Sequence, residues 1–311
     1  LAGHLGLGRV EVDADDPVLW ADRGDPSRAL WIGTDKSDGL YVHSLDGTVR
    51  QFFPDGPLNN VDLREGFVVD GKPYVLIAAA ERARFGIVTY LLDPATMEVK
   101  PYGFIPTDMG EPYGFCMGRR GDAIYLMPNN KDGEARQYRV VAGPQGPVAT
   151  LERTLKVASQ TEGCVVDDVA QVFYLGEEDT GIWRFDFDPA APATPTRVYA
   201  VDRTVLTDDV EGLTIMRDGG RTYLIASSQG DSTYPVWQVE GSVYVYKGRF
   251  AVEGGAIDNV TVTDGIDAWS GPIGPYPEGA IAMHDTDDGD GRQQNYKLVD
   301  WRDVKRALAL P

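Results

Sequence analysis

Two glutamates, Glu162 and Glu178, stand 16 residues apart in the stretch QTEGCVVDDVAQVFYLGEED, Gln160–Asp179. Between them a short apolar run, Cys164–Val166, leads into an acidic turn at Asp167–Asp168. A second run, Val172–Leu175, leads back to Glu177, Glu178 and Asp179. The pattern reads as an antiparallel hairpin, in which the start of the first strand and the end of the second share one edge. Two carboxylates brought to one edge repel each other unless a cation or a proton intervenes. The pair therefore predicts a metal site, and the prediction strengthens because the hairpin repeats.

Asp62, Tyr113 and Glu211 occupy the position of Glu162 in three further copies. A tyrosine follows twelve residues later in all four: Tyr74, Tyr125, Tyr174 and Tyr223. The steps from Asp62 to Tyr113, Glu162 and Glu211 are 51, 49 and 49 residues. Two looser copies complete the set. One is DADDPVLW followed by ALWIGTDK near the start; the other is Tyr276–Asp285 followed by QNYKLVDW near the end. Further strand-like runs accompany the copies at Leu40–Leu45, Ile87–Leu92, Ala135–Val141, Ile182–Phe187, Val243–Tyr246 and Tyr296–Trp301. Six units of about fifty residues, each with at least three strands, predict an all-β, six-bladed β-propeller. With no linker in sight, residues 1–311 read as a single domain.

If the repeated strand is the innermost one, the strand starts and return-strand ends meet at one mouth of the central channel. The starts carry Asp15, Asp16, Asn59, Asn60, Asp62, Tyr113, Glu162, Asp209 and Glu211; the ends carry Lys36, Arg82, Lys131, Glu178, Gln229 and Asp285. Each residue alone has an ordinary explanation as a turn cap or a solvated charge. The set falling on equivalent positions does not.

Composition narrows the function classes. The chain carries 48 acidic against 29 basic residues, a formal charge of −19, which excludes a polyanionic nucleic acid as a partner. No apolar run approaches the ~20 residues of a membrane-spanning helix. The first residue is Leu and no signal peptide is visible, so the chain reads as mature or trimmed. The two cysteines, Cys116 and Cys164, rule out a disulfide-rich scaffold and show no CxxC spacing. One bridge is open to them, but two separate buried thiols are the expectation.

The ligand types select the metal. Three histidines, none in a ligand-like cluster, and no cysteine pair argue against zinc. Carboxylates, amide oxygens and carbonyls suit calcium, with magnesium also compatible on ligand type. Lys36, Arg82 and Lys131 would not converge on a carboxylate ring merely to bind calcium. Cations interleaved with acid-bound metals suit a substrate bearing several phosphates. With no P-loop, no GxSxG elbow and no evident Cys or His phosphoryl acceptor, metal-activated water is the remaining nucleophile.

DADDPVLW (13–20), GTDKSDGLYV (33–42), LNNVDLR (58–64), YGF (113–115), SQTEG (159–163), EED–GIW (177–183), DVEGLTI (209–215), ASSQG (226–230), TDGID (263–267) and QNYKLVDW (294–301) resemble the β-propeller phytases, in order over nearly the whole chain. The resemblance implies a calcium-dependent, secreted bacterial phosphatase, extracellular or periplasmic, that acts on phytate, myo-inositol hexakisphosphate, as a monomer. It implies direct attack by a calcium-bound water without a phosphoenzyme. It assigns Asp15, Tyr113, Glu162, Glu178, Asp209, Glu211 and Asp258 to the catalytic calcium cluster. Lys36, Arg82 and Lys131 are assigned to the phosphates, with Glu178 and Tyr113 catalytic beside them and Asn59 and Asn60 assisting. Asp16 with the carbonyls of Pro17 and Val61 resembles a structural calcium site, with Asp285 and Asp287 beside it. Ser37 follows Lys36 where a second basic residue is common, and Asp132 follows Lys131 where an acid is often found; the calcium ligands are unaffected. The −19 charge opposes a bare polyanion, so the substrate is expected as its calcium complex. Two rivals stay open, a calcium-dependent lactonase-like propeller and a non-catalytic, calcium-stabilised binding propeller. Neither needs three converging cations.

Overall fold

The computed structural model describes residues 2–4, 13–254, 258–286 and 294–311, the first three as backbone only. Among these residues, six four-stranded antiparallel sheets surround a central channel, as expected of a six-bladed β-propeller. The innermost strands are Ala14–Asp22, Leu58–Val69, Gly114–Arg120, Thr161–Asp167, Val210–Asp218 and Ile266–Ser270. Within blades one to five the strands follow chain order outwards; blade four, for example, runs Thr161–Asp167, Val172–Glu177, Gly181–Asp186 and Thr196–Ala200. The helix Trp301–Leu308 follows the last strand, and among the described residues no helix is long and apolar enough to cross a membrane.

Blade six differs from the sequence expectation. Its inner strand is Ile266–Ser270, so Tyr276–Asp285 contains the second strand (Gly279–Asp285) and QNYKLVDW the third (Asn295–Asp300). The fourth is Ala2–His4, which pairs with Asn295, Tyr296 and Lys297 and closes the ring with the other end of the chain. A borrowed strand covers the last sheet edge, which would otherwise be open to intermolecular pairing. In blade five, Tyr234–Glu240 is the third strand, and Val243–Tyr246 belongs to the fourth, Val243–Phe250.

Burial follows the repeat. Tyr125, Tyr174 and Tyr223, three of the recurring tyrosines, are buried in apolar clusters. An inner strand still has an edge facing the channel, and buried unpaired backbone N–H groups are costly. Side chains from neighbouring blades accept from them. Asp62 takes Met117 N at 2.7 Å, Asp267 takes Leu19 N at 2.8 Å and Asp168 takes Arg119 N at 2.8 Å. Asp62, expected among the acids of the mouth, thus lies lower in the channel wall, where Arg64 also pairs with it at 2.9 Å. Cys116 and Cys164 are bridged, contrary to the expected free thiols. They stand on the adjacent inner strands of blades three and four with Cα atoms 5.7 Å apart, within the range a disulfide spans.

Candidate active site

The blades send up to two residues each to the mouth. The first stands at or just before the start of the inner strand, and in four blades a glycine follows it: Tyr113-Gly114, Glu162-Gly163, Glu211-Gly212 and Asp264-Gly265. A Cβ on Gly163 would lie 1.9 Å from Glu211 O, and one on Gly114 would lie 2.0 Å from Glu162 O. On Gly265 it would lie 1.8 Å from Asp16 Oδ1, and on Gly212 2.6 Å from Ile266 N. Only glycine permits so close an approach of neighbouring strands. Backbone bonds use the gap: Gly212 N donates to Asp264 O at 2.8 Å, and Gly265 N to Asp15 O at 3.0 Å. The acid–glycine motif therefore draws the acids of successive blades together.

The second residue follows the end of the second strand, after a buried polar partner that fixes the turn. Asp35 Oδ1 accepts from Ser37 N and Asp38 N and precedes Lys36; Glu81 accepts from Ala83 N and Arg84 N and precedes Arg82. Asn130 Oδ1 accepts from Asp132 N and Glu134 N before Lys131. Glu177 accepts from Ser159 N and Trp183 Nε1 before Glu178. Anchor and functional residue are thus chain neighbours, and a shift of one residue would exchange their roles.

Glu162, Glu178 and Glu211 converge: one carboxylate oxygen of each lies within 4.8 Å of the others, and all three are buried. Burial raises the pKa of Glu162 above the usual carboxylate range, and repulsion from Asp15 and Asp264 adds to it. Glu211 is raised by burial and then by Glu162 and Asp264. Burial raises Glu178 as well, opposed by Gln160, whose Nε2 donates to both its oxygens at 2.8 Å. Asp15 is pushed up to about 6 by burial, against the pull of Lys36. The Tyr113 hydroxyl is raised by burial and by the facing charges of Glu162, Glu211 and Glu178.

The cations border this cluster. Arg82 lies over the Tyr113 ring at 5.4 Å and Lys131 over it at 4.1 Å. Arg82 Nε donates to Glu111 Oε1 at 2.6 Å, and an Arg82 Nη1 donates to Asn59 Oδ1 at 3.3 Å. Asn59 Nδ2 in turn donates to Glu162 Oε1 at 2.7 Å, so one amide links the cation to the acid cluster. Asn60 Oδ1 accepts from the same nitrogen at 3.2 Å. Lys36 is tied to acids, at 2.7 Å from Asp264 and 3.1 Å from Asp15.

A family model described as Phytase matches residues 8–310. The chain belongs to the phytase family. A 3-phytase of Bacillus subtilis (strain 168) is 36% identical over 312 residues, covering 95% of this chain and 81% of that protein. Among solved structures, a protein of unknown function from Bacteroides thetaiotaomicron superposes with a TM-score of 0.58 at 10% identity, over 96% of this chain and 72% of that one; that likeness concerns the fold alone.

Not every expected ligand of this phytase joins the carboxylate cluster. Asp258 and Asp285 meet on the buried ammonium of Lys297, which is 2.9 Å from Asp258 Oδ1. By register Asp285 falls with the turn anchors rather than with Lys36, Arg82 and Glu178, and its Oδ1 accepts from Thr261 N at 2.8 Å. Asp209 is raised by burial and by Asp179, and its charge in turn acts on Glu178. Asp16, behind the mouth, accepts from Val61 N at 2.9 Å, and Pro17 follows it in the inner strand. Asp287 lies outside the described residues.

The structure adds Asp264, which the repeat reading missed because it framed blade six one strand too late. Its Oδ1 accepts from Gln229 Nε2 at 2.6 Å, and its backbone N–H donates to His284 Nδ1 at 3.1 Å. The TDGID string that contains it was the available signal. The phytase's donor set fits a hard cation. Asp15 Oδ2 and Glu211 Oε2 are buried without a hydrogen-bond partner among the described residues, and carboxylates crowded this closely call for positive charge between them.

Proposed function

We propose that this phytase binds several calcium ions at its channel mouth and requires them to release phosphate from phytate, delivered as its calcium complex. Family membership makes the chain a phosphoric monoester hydrolase acting on phytate. The observation that carries the calcium reading is the buried Glu162–Glu178–Glu211 cluster. Glu162, Glu178, Glu211, Asp15, Asp264 and the Tyr113 hydroxyl would hold the ions, with Asp209 beside them. Asp16, with the carbonyls of Pro17 and Val61, is the candidate for a further, structural ion.

Calcium bound there would supply positive charge and activate water as the nucleophile. The chain's own groups do the rest. Asn59 fixes the orientation of the Glu162 carboxylate, and Gln160 does the same for Glu178. Arg82 offers a planar donor fork to phosphoryl oxygens, and Lys131 a point charge. Both stand beside Tyr113, so a phosphate seated near the carboxylate cluster meets them on its other side.

The disulfide supports a secreted location, since such bonds persist in oxidising compartments. A ring closed by the chain's own first strand supports a monomer. The test is phosphate release from phytate with calcium, after chelation, and after calcium is restored. Activity lost and regained is the expected result; full activity after verified removal of calcium overturns the proposal.

A further inference from the structure

Lys36 is one of three cations at the mouth, yet its surroundings differ from those of the other two. Arg82 and Lys131 lie over the Tyr113 ring. The Lys36 ammonium instead sits between two acids of different blades, 2.7 Å from Asp264 Oδ2 in blade six and 3.1 Å from Asp15 Oδ1 in blade one, with Asp13 at 3.9 Å. The side chain is only 21% exposed. No other lysine or arginine pairs with Asp15 or Asp264 among the described residues. His284, 3.7 Å from Asp264, is kept neutral near pH 7 by burial and by Lys36, its pKa lowered to about 4.

Lys36 is therefore the internal counter-ion of this acid pair. Buried carboxylates without a cation would take up protons or repel each other. The same two side chains face the Glu162–Glu211 cluster and raise the pKa of both glutamates. An ammonium and a divalent ion held at the same two carboxylates repel each other, so calcium at Asp15 and Asp264 works against the Lys36 contact.

We propose that Lys36 is a displaceable counter-ion. It holds Asp15 and Asp264 together in the metal-free protein, and calcium entering between those carboxylates releases its ammonium towards the mouth. There the freed amine meets a phosphate of the substrate. Calcium thereby completes the phosphate-binding set as well as the metal cluster, and phytate binds after calcium. The inference rests on the calcium reading above. By linkage, whatever calcium does to the Lys36 contact, that contact does in return to calcium affinity.

Two measurements on the full chain test this. In calorimetric titration with calcium, Lys36→Met should bind its tightest-affected ion about tenfold more strongly than wild type. Lys131→Met is the control for losing one positive charge near the cluster, because Lys131 lies over the Tyr113 ring and acts on Glu178 only through its field; it should gain clearly less. In wild type, acylation of the Lys36 amine by sulfosuccinimidyl acetate, read by peptide mass spectrometry, should be slow in chelator and several-fold faster in calcium. Equal gains in both variants, weaker binding by Lys36→Met, or Lys36 labelling indifferent to calcium would each overturn the displacement. Wild type binding no calcium at all would overturn the calcium reading itself, a different and separable failure.

Discussion

Gly163 faces the backbone of Glu211 so closely that a Cβ on it would lie 1.9 Å from the Glu211 carbonyl oxygen. The glycine belongs to one blade and the glutamate to the next. The contact fixes the spacing of two inner strands at the height where Glu162 and Glu211 stand. The geometry of the carboxylate cluster is thus set by backbone packing as much as by the acids.

Gly163→Ala should therefore act on the site without touching a ligand. The methyl group must push the strands of blades four and five apart, an overpacking effect that typically costs about 1–3 kcal/mol. Both the melting temperature and calcium affinity should fall, the latter read by calorimetry. An alanine variant that melts and binds like wild type would show that the strands can part without cost.

Arg82→Ala should impair phytate hydrolysis far more than it changes thermal stability. The guanidinium is braced by Glu111 and Asn59 at the rim, where a partly exposed ion pair contributes little to folding, typically about 0–1 kcal/mol. KM for phytate should rise more than KM for a simple monophosphate ester, which has no second phosphate for the arginine to grip. Unchanged phytate kinetics in both Arg82→Ala and Lys131→Ala would remove the polyphosphate reading of the rim.

The sequence displayed the regular part of this design and hid the exceptions. Glu162, Glu178 and Glu211 were legible because their blades keep one frame, with the following tyrosine inside the second strand. In blade six the tyrosine twelve residues after Asp264 is Tyr276, which lies in the connection between Ile266–Ser270 and Gly279–Asp285. The longer connection breaks the frame, and Asp264 went unseen with it. The partnering of Lys297 with Asp258 and Asp285 was hidden for another reason: it joins residues from different segments of the chain. No local pattern carries that information. The Cys116–Cys164 bridge is similar. The residues look unrelated along the chain, and only the adjacency of successive inner strands makes them neighbours.

That bridge should stabilise the ring. It spans 48 residues, and in the chain-entropy account cross-linking a loop of that length is worth about 4 kcal/mol. Cys116→Ala/Cys164→Ala should lower the denaturant midpoint, and reduction of the native protein should lower it comparably. Because Cys164 stands two residues after Glu162, calcium affinity should also weaken in the reduced protein. A midpoint unmoved by either treatment would mean that interblade packing alone holds these strands.

His43 gives a pH-dependent signature away from the carboxylate cluster. It is fully buried, stacked on Trp31 with ring centroids 3.6 Å apart, and its Nε2 has no hydrogen-bond partner among the described residues. Burial lowers its pKa from 6.5 to about 4, with the Gly47 carbonyl opposing only in part. The unfolded chain therefore binds a proton between these values and the folded chain does not. The resulting stability is fully present above pH 6.5 and is lost as pH falls towards 4, by at most about 3 kcal/mol. Buried acids with raised pKa values, such as Asp267 at about 6, act with the opposite sign, so the net pH profile of the wild type alone does not isolate the histidine. Comparison with His43→Phe does, since the aromatic ring keeps the stack and cannot be protonated. Between pH 6.5 and 4.5 the wild type should lose stability relative to the variant, read as a widening difference in melting temperature. Parallel curves over that interval would mean that His43 is protonated as readily in the folded protein as in the unfolded chain.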